Sequence, residues 1–125
     1  MTCVFCSRVS SGEYRWGNEH AVAFPDASPI SRGHTLVVSR THTSDLFQLD
    51  AVARSAMWAL LDSVQADLFA ELSPDGFNVG VNVGTSAGQT VAHAHIHLIP
   101  RFRGDVPDPR GGIRRIIPDL AAYWD

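Results

Sequence analysis

The chain has no lysine: all ten of its basic residues are arginine. An arginine-only set of cations suits phosphate recognition, because the guanidinium donates in a rigid planar fork, although compositional bias of the source accounts for it more simply. Positive charge is not in surplus either. The formal net charge is -3, which argues against the global basic field that binds duplex nucleic acid. No run is long and apolar enough to span a bilayer, and Met1-Thr2-Cys3-Val4-Phe5-Cys6 has no charged region leading into a long apolar stretch. Neither a membrane segment nor a signal peptide is expected, and the expected location is cytoplasmic. Cysteine is scarce, with Cys3 and Cys6 alone; in a reducing compartment such a pair suits metal or redox chemistry better than a structural disulfide. Internal repeats and low-complexity tracts are absent. What remains is 45% hydrophobic and 18% charged, the composition of one soluble globular domain.

Glycines and prolines divide the chain into short strands and one long helix. Residues 14–16 and 20–24 read as two strands joined by a Gly17-Asn18 hairpin turn. Residues 25–29 form a loop, and residues 34–39 a third strand rich in β-branched side chains. Thr43 or Ser44 is placed to cap a short turn carrying Leu46 and Phe47. Asp50 then caps a helix running to about Leu72, with Val52, Ala56, Leu60, Leu61, Val64 and Leu68 as its apolar stripe. About 22 residues at a 1.5 Å rise span roughly 33 Å, enough to cross a sheet. Residues 77–83 alternate strictly, with Phe77, Val79, Val81 and Val83 on one face. Residues 101–115 hold five arginines against two aspartates, among prolines and glycines that argue against regular structure. The aromatics of the tail, residues 118–125, can dock it. Strands with one long helix across them make the class α+β with a largely antiparallel sheet.

The most distinctive stretch is Gly88-Gln89-Thr90-Val91-Ala92-His93-Ala94-His95-Ile96-His97-Leu98-Ile99-Pro100-Arg101. In an extended strand alternate side chains share a face. His93, His95 and His97 then line one side, while Ala94, Ile96 and Leu98 fill the other and suit packing against a helix. Three readings are open. Alternate imidazoles can converge on zinc; one can attack as a nucleophile while another orients or protonates; or all three are core histidines satisfied by hydrogen bonds. The surroundings favour phosphate chemistry. Residues 84–88 can present backbone N–H groups to an anion, and Thr90 adds a hydroxyl donor. A neutral imidazole with a pKa near ~6.5 attacks phosphorus without strong activation. No aspartate or glutamate lies within the triad, so nothing there resembles an electrostatic clamp for magnesium.

His93-Ala94-His95-Ile96-His97-Leu98-Ile99 resembles the signature of the histidine triad (HIT) superfamily of nucleotide hydrolases and transferases. Gly88-Gln89-Thr90-Val91 stands where that family carries its Gly-Gln-Ser/Thr-Val segment. Ala23-Phe24-Pro25-Asp26 and Gly33-His34-Thr35-Leu36-Val37-Val38 resemble its nucleoside-binding strands. The resemblance covers about residues 3–103 of a single domain, 1–125, and leaves 104–125 as an arginine-rich loop and tail. It implies the HIT fold: a five-stranded, largely antiparallel sheet, one long helix and a short N-terminal helix or turn, assembled as a homodimer.

The same resemblance implies a division of labour. His95 would attack the α-phosphorus of a nucleoside 5′-phosphate derivative, a dinucleoside polyphosphate or a phosphoramidate, and form a nucleotidyl-histidine. His97 would contact the phosphate and help protonate the leaving or bridging oxygen. His34 and His93 would belong to the hydrogen-bond network that fixes the nucleophile's tautomer. Asn82, Gly88, Gln89 and Thr90 would hold phosphate oxygens, Asp26 the ribose hydroxyls and Phe24 the base, with an adenine nucleotide as the expected substrate. The third histidine leans towards hydrolysis, since the uridylyltransferase branch carries glutamine there. Thr90 and the ending Leu98-Ile99-Pro100-Arg101 look closer to the fragile-histidine-triad and bacterial branches, which include dinucleoside polyphosphate hydrolases, than to the phosphoramidase branch. The arginines at 101, 103, 110, 114 and 115 either meet further phosphates or form a solvated basic loop.

Cys3-x-x-Cys6 alone is ambiguous among zinc, redox and no function. A thioredoxin-like role needs the motif at the start of a helix in a βαβ setting, which this N-terminus is not expected to offer. A closed zinc site needs two more ligands. Many bacterial HIT proteins look similar here, and the resemblance implies His42 and His93 as those ligands. That gives a structural Zn2+ site of Cys3, Cys6, His42 and His93, in which His93 serves the metal with one nitrogen and the active strand with the other. No cofactor is implied for the chemistry itself. Two other classes stand beside hydrolysis: a non-catalytic nucleotide-binding or signalling module, and a zinc hydratase or hydrolase using the triad as its metal site. The last leaves the glycine-rich loop and Thr90 without a role.

Overall fold

The computed structural model describes residues 3–125. Five strands form one antiparallel sheet: β1 (Trp16–Gly17), β2 (Ala21–Pro25), β3 (Thr35–Ser39), β4 (Gly76–Gly80) and β5 (His95–Arg101), in the order β1-β2-β3-β5-β4. Helix α1 (Val4–Ser11) and helix α2 (Ala51–Leu72) complete the regular structure apart from short 3-10 turns. The α+β class with a short N-terminal helix and one long helix is therefore as expected. No helix among the described residues is long and apolar enough to cross a membrane.

Alternation along the strands sorts the core into two layers. Ala21, Ala23, Val37, Ile96 and Leu98 face α2 and join Met57, Leu60, Leu61, Val64 and Leu68. Val22, Phe24, Leu36 and Val38 face the opposite way and join Phe5 of α1. His95 and His97 have the parity of this second layer, so the sheet hands them to the α1 side. The position of β5 between β3 and β4 fixes them there: Val38 pairs with His95, and His97 lies between Leu36 and Gly80. A one-residue slip would turn both imidazoles into the α2 core.

Helix α2 has the expected bounds. Asp50 caps it, accepting from the Ala53 N–H at 2.8 Å, and it ends at Ser73 in the left-handed region (φ 47°). Its apolar stripe differs in the first half. Ala53 and Met57 are buried, whereas Val52 is 65% exposed and Ala56 only half-buried. At about 100° per residue, Met57 projects into the sector of Leu60, Leu61, Val64 and Leu68, while Ala56 and Val52 fall roughly 95° and 135° to one side.

Other boundaries move for local reasons. Strand β4 stops at Gly80 instead of Val83; the chain leaves β5 there, which keeps Val81 on the core but turns Asn82 towards a cleft. Val79, on the edge strand, is 38% exposed. In the first hairpin the Asn18 side chain accepts from the His20 and Ala21 N–H groups at 3.0 and 2.9 Å. That Asx turn places Gly17 in β1 and leaves Tyr14 and Arg15 outside it. Asp45, not Thr43 or Ser44, caps the 3-10 turn Leu46–Gln48, accepting from the Phe47 N–H at 2.8 Å. The C-terminal segment has more structure than its composition suggested, with 3-10 turns at Gly112–Ile116 and Pro118–Leu120. Trp124 docks there against Arg110, whose Cζ lies 4.5 Å from the ring centroid.

Candidate active site and candidate metal centre

Strand β5 begins at His95, so His93 stands outside it, yet its buried ring still falls on the α1 side against Phe5. The three histidines share a side and differ in their bonds. His95 Nδ1 lies 2.7 Å from the carbonyl oxygen of His93. A carbonyl only accepts, so Nδ1 carries the proton and Nε2 keeps its lone pair. Phe5 packs edge-on against the same ring at 5.1 Å. The tautomer of His95 is thus fixed by the main chain of His93 rather than by its imidazole.

His34 joins a different member of the triad from the one expected. Its Nδ1 accepts from the Ile30 N–H at 3.2 Å, which leaves the proton on Nε2. That Nε2 lies 2.9 Å from His97 Nδ1 and 3.4 Å from an Asp26 carboxylate oxygen. His97 Nδ1 therefore accepts, and His97 Nε2 bears the proton. Burial holds His34 below the ordinary imidazole range, with Asp26 opposing. Burial does the same to His97, reinforced by His95 and His34 and again opposed by Asp26. The ring centroids of His95 and His97 stand 5.2 Å apart, so neighbouring imidazoles carry their protons on different nitrogens.

Both face a cleft of about 560 Å³ whose lining includes Phe24, Asp26, Asn82, Gly88 and Thr90. Gly88 has φ 95°, a left-handed conformation that side chains disfavour. Gln89 does not line the cleft. Its amide oxygen accepts from the Gly84 N–H at 2.9 Å, and its amide nitrogen donates to the carbonyls of Ser44 and Val91. Gln89 therefore braces the glycine loop instead of facing a phosphate. Phe24 is in the wall but only 2% exposed; the Arg8 guanidinium lies 4.2 Å above its ring and Phe5 meets it edge-on. Val4, Phe5 and Arg8 of α1 also line the cleft. Sequence reasoning missed them, and the one available signal was an aromatic residue placed between two cysteines.

The arginines after β5 lie elsewhere. None of Arg101, Arg103, Arg110, Arg114 and Arg115 lines this cleft. Arg101 binds Asp105 and Asn78, and its hydrogen bonds hold the Asp105 carboxyl down to about 2. Arg110 pairs with Asp108, while Arg114 donates to the carbonyls of Ala121 and Leu120.

Cys3, Cys6, His42 and His93 come together behind the triad, with one ligand atom of each within 4.8 Å of the others. The two Nδ1 atoms are 3.2 Å apart, Cys6 Sγ is 3.2 Å from His42 Nδ1 and 3.5 Å from His93 Nδ1, and Cys3 Sγ is 3.4 Å from His93 Nδ1. A tetrahedron with Zn–N of about 2.0–2.1 Å and Zn–S of about 2.3 Å has N–N edges near 3.3 Å and N–S edges near 3.6 Å. The donor set and its spacing therefore fit zinc. His93 Nε2 lies 2.6 Å from the Ser39 carbonyl, which puts the proton there and leaves Nδ1 for a metal. Cys3 immediately precedes α1 and Cys6 lies in its first turn, so the pair does open a helix. An antiparallel hairpin follows, not a βαβ unit, and two histidines complete the set.

Residues 15–104 match the family model of the HIT domain. A Zn-bound histidine triad family protein from Mycobacterium smegmatis has a similar structure, with a TM-score of 0.75 and 35% identity over 97% of this chain and 94% of that one. An uncharacterised HIT-like protein of Mycoplasma genitalium is 38% identical over 81% of this chain and 74% of its own length. The adenylylsulfatase HINT3 of Arabidopsis thaliana is 31% identical over 82% of this chain and 54% of its own length. A five-stranded antiparallel sheet that presents His95 and His97 to one cleft, with His93 buried behind them, defines a histidine-triad protein, and this chain belongs to the HIT family. That family includes nucleotide-binding proteins, hydrolases and transferases.

Proposed function

We propose that the protein is a nucleotide hydrolase that cleaves nucleoside 5′-phosphate derivatives at the α-phosphorus through a nucleotidyl-His95 intermediate. The observation that carries this reading is the pair of opposite protonation states in one cleft, a lone pair on His95 Nε2 and an N–H on His97 Nε2. His95 Nε2 attacks phosphorus and a P–N bond forms. The bond to the leaving group breaks while His97 Nε2–H donates a hydrogen bond to the departing oxygen or nitrogen, which takes from solvent any proton it needs. Water then attacks the same phosphorus, the P–N bond to His95 breaks, one proton passes to solvent, and the nucleoside monophosphate leaves. Asn82, Gly88 and Thr90 are proposed to hold phosphate oxygens and Asp26 the ribose. Adenylyl chemistry in the name of the Arabidopsis relative supports the substrate class, with dinucleoside polyphosphates and nucleoside phosphoramidates as the candidates.

Cys3, Cys6, His42 and His93 are proposed to hold a structural zinc that supplies cross-linking and no chemistry, since it would lie behind the nucleophile. A homodimer is part of the proposal; exposed Ile113, Ile116 and Val79 near the edge strand support it. The decisive experiment is rapid-quench trapping with an α-labelled nucleotide. An acid-labile nucleotidyl-protein adduct in the wild type, lost in His95→Ala while nucleotide binding persists, is the expected result. Tight binding with no adduct and no turnover would make the protein a binding module instead.

A further inference from the structure

Among the described residues facing the cleft, Arg8 is the one arginine. Its Nε donates to the Glu13 carbonyl at 3.2 Å, and its Cζ lies over the Phe24 ring at 4.2 Å. The terminal amino groups have no hydrogen-bond or ion-pair partner among the described residues. Arg8 also lines a neighbouring pocket of about 360 Å³ with Glu13, Tyr14 and Arg15, so its side chain, together with Phe24, stands between that pocket and the cleft. The surface beside it is apolar, made by Val4, Phe5, Phe24 and Leu36. In a cleft whose other functional groups are Asp26, Asn82, Thr90 and the histidines, this apolar wall is where a flat base fits.

We propose that Arg8 recognises the nucleobase, with its two terminal amino groups donating in parallel to a base edge that offers two acceptors. Guanine presents O6 and N7 in that arrangement, whereas adenine presents N7 beside an amino donor that opposes the fork. The inference rests on the nucleotide reading of the cleft and reverses the adenine preference that the resemblance implied. Phe24, covered by the guanidinium, acts as the platform for Arg8 rather than for the base.

Titration calorimetry of the intact protein with GMP and AMP tests this. Wild type is expected to bind GMP roughly tenfold or more tightly than AMP, the discrimination of one good bidentate pair. Arg8→Met, which keeps an aliphatic cover on Phe24, should bring the two affinities together. Arg8→Lys should not restore the difference, because an ammonium cannot supply two parallel donors. Equal affinities in the wild type, or an unchanged ratio in Arg8→Met, would overturn the role of Arg8 and leave the hydrolase reading intact. Failure to bind either nucleotide would overturn both.

Discussion

At the scale of single residues, three chemically identical side chains become unequal because each meets a different neighbour at hydrogen-bond distance. His93 gives its nitrogens to the Ser39 carbonyl and the thiols and its carbonyl to His95; His97 receives a proton-bearing nitrogen from His34. Removing His34 leaves His97 Nδ1 without a donor, so the imidazole loses its preferred tautomer. His34→Ala is expected to lower kcat by about ten- to a hundredfold with little change in KM, and His97→Ala to lower it by about 10²–10⁴. Steady-state kinetics on a nucleoside phosphoramidate checks both; a wild-type kcat in His34→Ala would show that something else orients His97. Gln89 acts at one remove. Its side chain makes three bonds to backbone groups, each worth about 0.5–1.5 kcal/mol net. Gln89→Ala should raise KM several-fold through a looser glycine loop, and Gln89→Glu, which cannot donate to the Ser44 and Val91 carbonyls, should do the same.

At the scale of elements, what could be read in the sequence was whatever local chemistry decides. The ends of α2 were legible because an aspartate cap and the Ser73-Pro74-Asp75-Gly76 break are local signals. The shared side of the histidines was legible because strand alternation is local too. The phase of the first half of α2 is set by the same 100° spacing, which puts Ala53 and Met57 in the sector of Leu60, Leu61, Val64 and Leu68; the greater hydrophobicity of Val52 points the other way. Its consequence is measurable. Met57→Ala should destabilise by about 2–5 kcal/mol, whereas Val52→Ala should stay within about 0.5 kcal/mol of wild type in urea unfolding. The reverse order would put the stripe back on Val52 and Ala56. Helix α1 was expected from the family resemblance alone, because it is short and what fixes it is distant. Its cysteines meet His42 and His93, and Phe5 meets Phe24 and the triad rings. The His34–His97 link spans 63 residues, beyond any spacing rule.

For the molecule as a whole, the Cys3, Cys6, His42 and His93 cluster ties α1 to the segment after β3 and to the residues before β5. A metal held there stabilises by binding the folded chain alone. Purified protein is expected to carry about one zinc per chain, and a strong chelator should lower Tm by several degrees and weaken nucleotide binding, because Phe5 and Arg8 ride on the helix so anchored. Substoichiometric zinc with two freely titratable thiols would remove the cluster from this role. Acid stability separates the metal from the active site. His34 and His97 are neutral in the fold and held below the ordinary imidazole range by burial. Below a pH of about 6.5 the unfolded chain takes up protons that the folded chain refuses, so stability falls until the folded histidines titrate as well. Protonation of thiolate and imidazole ligands releases zinc with the same sign. A Cys3→Ser/Cys6→Ser protein lacks the metal contribution; its urea midpoint should be level from about pH 8 to pH 7 and decline from about pH 6.5 to pH 5. Adding His34→Gln should make that decline shallower without abolishing it, since burial also holds His93 and His97 below the ordinary range; an unchanged slope would mean that burial of His34 does not contribute to the acid limit of the fold.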